Sequence, residues 1–210
     1  MLQKLPGFSR NIWIAAALLV LLAGVFTQYT LLEREVDTRN EQRYQSLLLA
    51  DALRHSADDL TRMARTYVIT GSPAYKQHYQ DILDIRNGKK PRPEKFHAIY
   101  WDFVGVEGQP QPIADGPSVA LLDLIRQAGV TPHELDKLAL AKDRSDALSR
   151  TEMQAMRLVE GTAPPEATNQ AQAIRMLHDT AYHQAKAGVM RPIDEFNDLV
   201  NQRTTLAVQN

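Results

Sequence analysis

The sequence predicts an all-α protein in which an N-terminal transmembrane helix leads into an up-down helical bundle. Three observations carry that reading. The run from Ile12 to Leu32 has no charged residue, the stretch from Leu31 to Thr70 has neither proline nor glycine, and no segment alternates as a strand would. Ile12 to Phe26 is apolar apart from small alanines and a glycine. At about 1.5 Å per residue, the whole run 12–32 crosses a hydrocarbon layer of about 30 Å. Trp13 and Tyr29 stand near its two ends, where amphipathic rings prefer the headgroup level.

Lys4 and Arg10 precede the span without an acid beside them, and Glu33, Arg34, Glu35 and Asp37 follow it. The positive-inside bias therefore assigns residues 1–11 to the cytoplasm, 12–32 to a bacterial inner membrane and 33–210 to the periplasmic side. A cleaved signal peptide fits less well, because no small-x-small site follows and the apolar run continues to Leu32.

Beyond the span, Leu47, Ala50, Leu53, Ala57, Leu60, Ala64 and Tyr67 recur at three- and four-residue steps, which predicts one amphipathic helix continuing to Thr70. Gly71 stops it, and Ser72-Pro73 starts a second helix reaching Arg86. Residues 87–117 are irregular, with five prolines between Pro91 and Pro117. Phe96, Ile99, Tyr100, Trp101 and Phe103 inside this stretch predict a short helix packed on the bundle. A helix over 118–128 closes at Gly129, and Thr131 with Glu134 forms a capping box for a helix reaching about Glu160. After Gly161 and Pro164-Pro165, residues 166–208 read as one helix with a kink or break at Pro192. Each long apolar stripe needs a partner, which an up-down bundle supplies.

The charge balance, 24 basic against 25 acidic residues, gives no electrostatic reason to expect nucleic acid. Without cysteine there is no disulfide, thiolate metal site or c-type haem attachment. No Gly-rich phosphate loop, G-x-S-x-G elbow or H-E-x-x-H pattern occurs, so neither an enzyme nor a cofactor is expected.

The runs DDLTRMARTYVITG (58–71), DILDIRNGKKPRP (81–93), HAIYWDF (97–103) and MLHDTAYHQAKAGVMRPIDEF (176–196) resemble the N-terminal sensory regions of bacterial transmembrane signalling receptors. That group includes hybrid histidine kinases, diguanylate cyclases and chemoreceptors. The resemblance implies a small-molecule or protein ligand outside the membrane, a homodimer and signalling through the lipid bilayer. The chain departs from the full receptor pattern by stopping at Asn210 without a second membrane helix or an output domain, as a fragment or an output-less module would. A membrane-tethered scaffold whose long helices dimerise is the competing expectation.

Several residue groups are candidates for binding. Glu94 and His97 have the E-x-x-H spacing of di-iron bundles, but no second such pair accompanies them. His178, Asp179 and His183 lie on one predicted helix, with Asp179 and His183 sharing a face. Arg86, Lys89, Lys90, Arg92 and Lys95 form a basic run, read as a solvated loop or an anion site. A ligand pocket needs apolar walls with a few convergent polar groups, and Arg62, Arg65, Tyr67, Tyr100, Trp101, Tyr182 and His183 are the groups available. Tyr67 and Tyr182 stand out, since a phenol on a bundle face brings a polar tip that needs a partner.

Overall fold

A computed structural model describes residues 6–93, 100–104, 116–161 and 166–209. The chain is all-α in two compact units, Met1–Arg43 and Tyr44–Asn210. Among the described residues, the only β-bridge joins Asn87 to Ala120.

Helix α1, Pro6–Thr70, supplies the first unit and opens the second. Its segment Ile12–Leu31 has a mean hydropathy of 2.0 and is wholly unburied. It is thus long and apolar enough to cross a membrane. The Thr27 and Thr30 hydroxyls donate to the carbonyls of Ala23 and Thr27 (2.8 and 2.9 Å), so neither needs water.

In the second unit, α1 stops where Gly71 takes φ +65° and its N–H returns to the Tyr67 carbonyl at 2.8 Å. Helix α2, Pro73–Arg86, follows with proline in its first turn. Gly88 ends this passage at φ +72°, and a side chain there would collide with the backbone of Val119 and Ala120. Helix α3, Tyr100–Val104, buries Tyr100, Trp101 and Val104, as a packed aromatic segment should. Phe103, expected to join them, is 52% exposed; Phe96 and Ile99 lie outside the described residues. Helix α4, Leu121–Gln127, begins three residues later than the pattern suggests, because Ala120 stays extended to pair with Asn87.

Helix α5, Pro132–Leu158, starts with the expected capping box: the Glu134 N–H donates to Thr131 Oγ1 (3.3 Å), and the Thr131 N–H to Glu134 Oε2 (2.8 Å). The last stretch differs from expectation. It forms two helices, α6, Ala167–His178, and α7, Thr180–Gln209, which meet at Asp179. Asp179 is extended, and its Oδ1 accepts from the Tyr182 N–H at 2.7 Å, so it caps α7. Pro192, the expected breaking point, lies within α7. The carbonyl that its missing N–H would have bonded belongs to Gly188, and the Arg144 guanidinium donates to that oxygen at 2.8 Å.

Helix α5 packs on α4, α6 and α7. Two apolar clusters fill the unit. One, around Phe196, holds Leu53, Leu121, Ile125, Leu138 and Ile193; the other, around Tyr182, holds Leu60, Val68, Ile82, Ala155 and Leu177.

Candidate functional site: a buried carboxyl tied to four helices

Along α5 the inward stripe reads Leu138, Ala141, Ser145, Leu148, Glu152 and Ala155, and the C-cap Val159 continues it. Glu152 therefore occupies a core position and is 1% exposed. Placing a carboxyl there costs several kcal/mol on the order of a buried ion unless its oxygens are satisfied. They are satisfied from three other helices. Tyr182 on α7 donates to Oε1 at 2.6 Å, Thr61 on α1 reaches the same oxygen at 3.0 Å, and Tyr79 on α2 donates to Oε2 at 2.9 Å. The Tyr182 and Thr61 hydroxyls also lie 3.0 Å apart.

Lys186, one turn beyond Tyr182, closes the cluster on the α1 side. Its ammonium donates to the Ala57 carbonyl (2.7 Å), to Thr61 Oγ1 (3.1 Å) and to Asp58 Oδ1 (2.9 Å). All three of its donors are thereby used.

Burial pushes the Glu152 carboxyl above its ordinary range, against the hydroxyls of Tyr182, Tyr79 and Thr61 and the charge of Lys186, which pull it down. Both phenols are driven well above their usual values, first by burial and then by the adjacent Glu152 charge. They are thus fixed as protonated donors.

A second buried polar contact lies about two α5 turns earlier. Arg86, 1% exposed, donates through Nη1 to Ser145 Oγ (2.9 Å) and through Nη2 to Asp146 Oδ1 (2.7 Å). Lys142 donates to the other oxygen of Asp146 at 2.6 Å. Burial lowers the Arg86 value, while Asp146, Tyr79 and Glu152 raise it. Arg86 therefore does not belong to the solvated basic loop that its sequence neighbours suggest. Of those neighbours, Lys89 is exposed, Lys90 pairs with Asp81, Arg92 is half-buried and Lys95 lies outside the described residues.

The predicted pocket residues separate into groups. Tyr182 is in the cluster, and Arg65 lies over its ring at 5.2 Å. Arg65 also donates to the Leu177 carbonyl through Nε (3.2 Å) and Nη2 (2.7 Å), satisfying the end of α6. His183 is exposed, with its ring edge-on to Tyr182 at 6.2 Å. Asp179 ends α6 and caps α7: its carbonyl accepts from the His183 N–H at 3.1 Å, while its side chain turns to the Tyr182 N–H. Tyr67 is buried in the Tyr182 cluster of the core.

Arg62, by contrast, binds Asp59 (2.7 Å) and Asp102, joining α1 to α3. There Tyr100 and Trp101 stack edge to face at 5.0 Å, and Trp101 lies 5.7 Å from His78. Glu94 and His97 lie outside the described residues. Among the described residues no group of three His, Asp or Glu side chains is arranged to hold a metal.

Comparison with protein families, curated proteins and solved structures finds no match. What stands is a mostly helical bundle behind one membrane-length apolar helix, a layout shared by membrane-associated helical signalling proteins in general.

The sequence reading missed Glu152, Thr61, Tyr79 and Lys186. A signal was present: Glu152 and Lys186 both fall in the three-and-four register of otherwise apolar stripes, Leu148-Glu152-Ala155 and Tyr182-Lys186-Val189.

Proposed function

We propose that this chain is the sensing module of a membrane-bound bacterial receptor, with residues 1–11 cytoplasmic and the helical domain periplasmic. In this reading it responds to a small molecule or a protein partner, acts as a homodimer and performs no catalytic step. The observation that supports it is that α1 carries both the membrane-length apolar segment and Thr61, which holds the carboxyl that also gathers α2, α5 and α7. A buried carboxyl with directional donors has few good arrangements, so helices tied through it shift between discrete positions. A ligand that favours one position moves the helix that enters the membrane.

The absence of cysteine makes the test direct. Single cysteines are introduced at Leu18 to Leu22, and disulfide cross-linking between copies is measured in bacterial membranes. Metabolites that stabilise the chain in a thermal-shift screen are then added. The reading expects cross-linking on one face of the span and a changed pattern with a stabilising ligand. A pattern that no stabilising ligand alters would reject signalling through the span. Orientation is checked with Ser9→Cys and Ser118→Cys: an impermeant maleimide should label only the second in cells with a permeable outer membrane.

A further inference from the structure

Helices α2 and α5 leave a groove of about 470 Å³ on the side of the bundle where Tyr79 stands. Its size lies within the range of small-ligand sites, roughly 300–1,000 Å³. Met153, Met156 and the Tyr79 ring give it an apolar wall, and Lys76, Arg157 and Glu160 stand among its polar lining.

The charges are unequal. Lys76 is bonded to Glu160, whose carboxyl this contact holds below its ordinary range. The Arg157 side chain is exposed and, among the described residues, makes no hydrogen bond or close ion pair, although its charge also helps hold the Glu160 carboxyl down. The groove therefore combines an apolar wall with one cation that has no hydrogen-bonded partner and a second cation bonded to the chain's own carboxylate. We propose that this groove binds a small organic carboxylate with an apolar body. The ligand carboxylate bridges Arg157 and Lys76, displaces Glu160, and lays its apolar body on Met153, Met156 and the Tyr79 ring. The inference rests on the sensing reading and gives it a ligand class.

The groove also has a route into the bundle. Tyr79 lines the groove while its hydroxyl holds Glu152 Oε2, and Met153 is the residue next to Glu152. A body seated on that wall bears on the carboxyl to which Thr61 of α1 is tied.

The test is calorimetric titration of the chain in nanodiscs with 3-phenylpropionate and hexanoate, against their alcohols 3-phenylpropan-1-ol and hexan-1-ol and against empty discs. The carboxylates should bind and the alcohols should bind about tenfold more weakly or worse, the equivalent of one charged hydrogen bond. Glu160→Gln removes the internal competitor and should tighten carboxylate binding severalfold. Arg157→Glu should abolish it. Both positions are exposed, so both variants should keep the wild-type helical content and melting behaviour.

Failure of both carboxylates to bind both the native chain and Glu160→Gln would overturn the site. Equal binding of acid and alcohol, or unchanged binding in Arg157→Glu, would do the same. A stabilising metabolite from the thermal-shift screen that acts equally on Arg157→Glu would remove this site while leaving the sensing reading intact.

Discussion

The Phe196 and Tyr182 clusters occupy the same bundle and are built on different principles. The first is held by side chains without polar atoms: Leu53, Ile125, Leu138, Ile193, Phe196 and Val200 are all buried. The second has comparable apolar packing but encloses Glu152, two phenols and Thr61. Apolar packing is tolerant of sliding, because dispersion and solvent exclusion have no preferred direction. A buried carboxyl bonded from three sides prefers one relative setting of four helices. The two regions therefore divide the labour, one contributing stability and the other specifying register.

That contrast can be broken by substitution. Phe196→Ala should cost about 3–5 kcal/mol, the usual loss for emptying an aromatic core position. Urea unfolding followed by Trp101 fluorescence, in a Trp13→Phe background, measures it. Glu152→Ala should cost about 1–3 kcal/mol by a different route, since it removes the best acceptor of the buried Tyr79 and Tyr182 hydroxyls and leaves them the longer contacts to the Ser149 carbonyl (3.3 Å) and Thr61 Oγ1 (3.0 Å). The routes separate in combination. Glu152→Leu with Tyr79→Phe and Tyr182→Phe removes donors and acceptor together and should recover most of the loss, whereas no polar exchange around Phe196→Ala should restore that site. If the triple variant is no better than Glu152→Ala, the cluster is not the source of the cost.

The pH dependence should differ in the same way. The Glu152 carboxyl is raised by burial above its unfolded value of 4.5, so the folded state holds a proton that the unfolded state releases first. Its contribution is full below pH 4.5 and is lost as pH rises through the higher folded value. Stability of the native chain, measured relative to Glu152→Gln, should therefore fall as pH is raised from 4.5. Tyr79→Phe removes a donor that lowers the Glu152 value, and should extend that fall to higher pH. Substitutions in the Phe196 cluster should leave the profile's shape unchanged.

These regions were unequally legible in the sequence. The Phe196 cluster follows directly from apolar periodicity, and the stops at Gly71, Asn87-Gly88 and Gly129 are local features that need no tertiary knowledge. The register of α5 marks Glu152 as a polar residue in a core stripe. What satisfies it lies 73 residues away at Tyr79 and 30 away at Tyr182, and a single helix pattern holds no record of that meeting. Arg86 was misplaced for the same reason. Its neighbours are loop cations, and only the approach of Ser145 and Asp146 makes a buried position possible. The break at Asp179 was hidden because an apolar three-and-four pattern runs on both sides of it, with Leu177 and Tyr182 both buried.

Pro192 shows how tertiary contact reverses a local rule, and it lies where the two clusters meet: on α7, Val189 belongs to the Tyr182 cluster and Ile193 to the Phe196 cluster. Proline in a helix removes one donor and crowds the carbonyl four residues earlier. Here that residue is Gly188, without a side chain to add to the crowding, and its carbonyl receives the Arg144 guanidinium at 2.8 Å. Arg144→Ala should cost only about 0.5–1.5 kcal/mol, because Arg144 is exposed and water can replace it. Pro192→Ala restores the helix's own N–H donor, so in that background the same Arg144→Ala change should cost nearly nothing. The two substitutions would then show a coupling about as large as the single loss. An undiminished Arg144→Ala cost in the Pro192→Ala background would mean that Arg144 acts elsewhere, and that α7 passes between the clusters without this external donor.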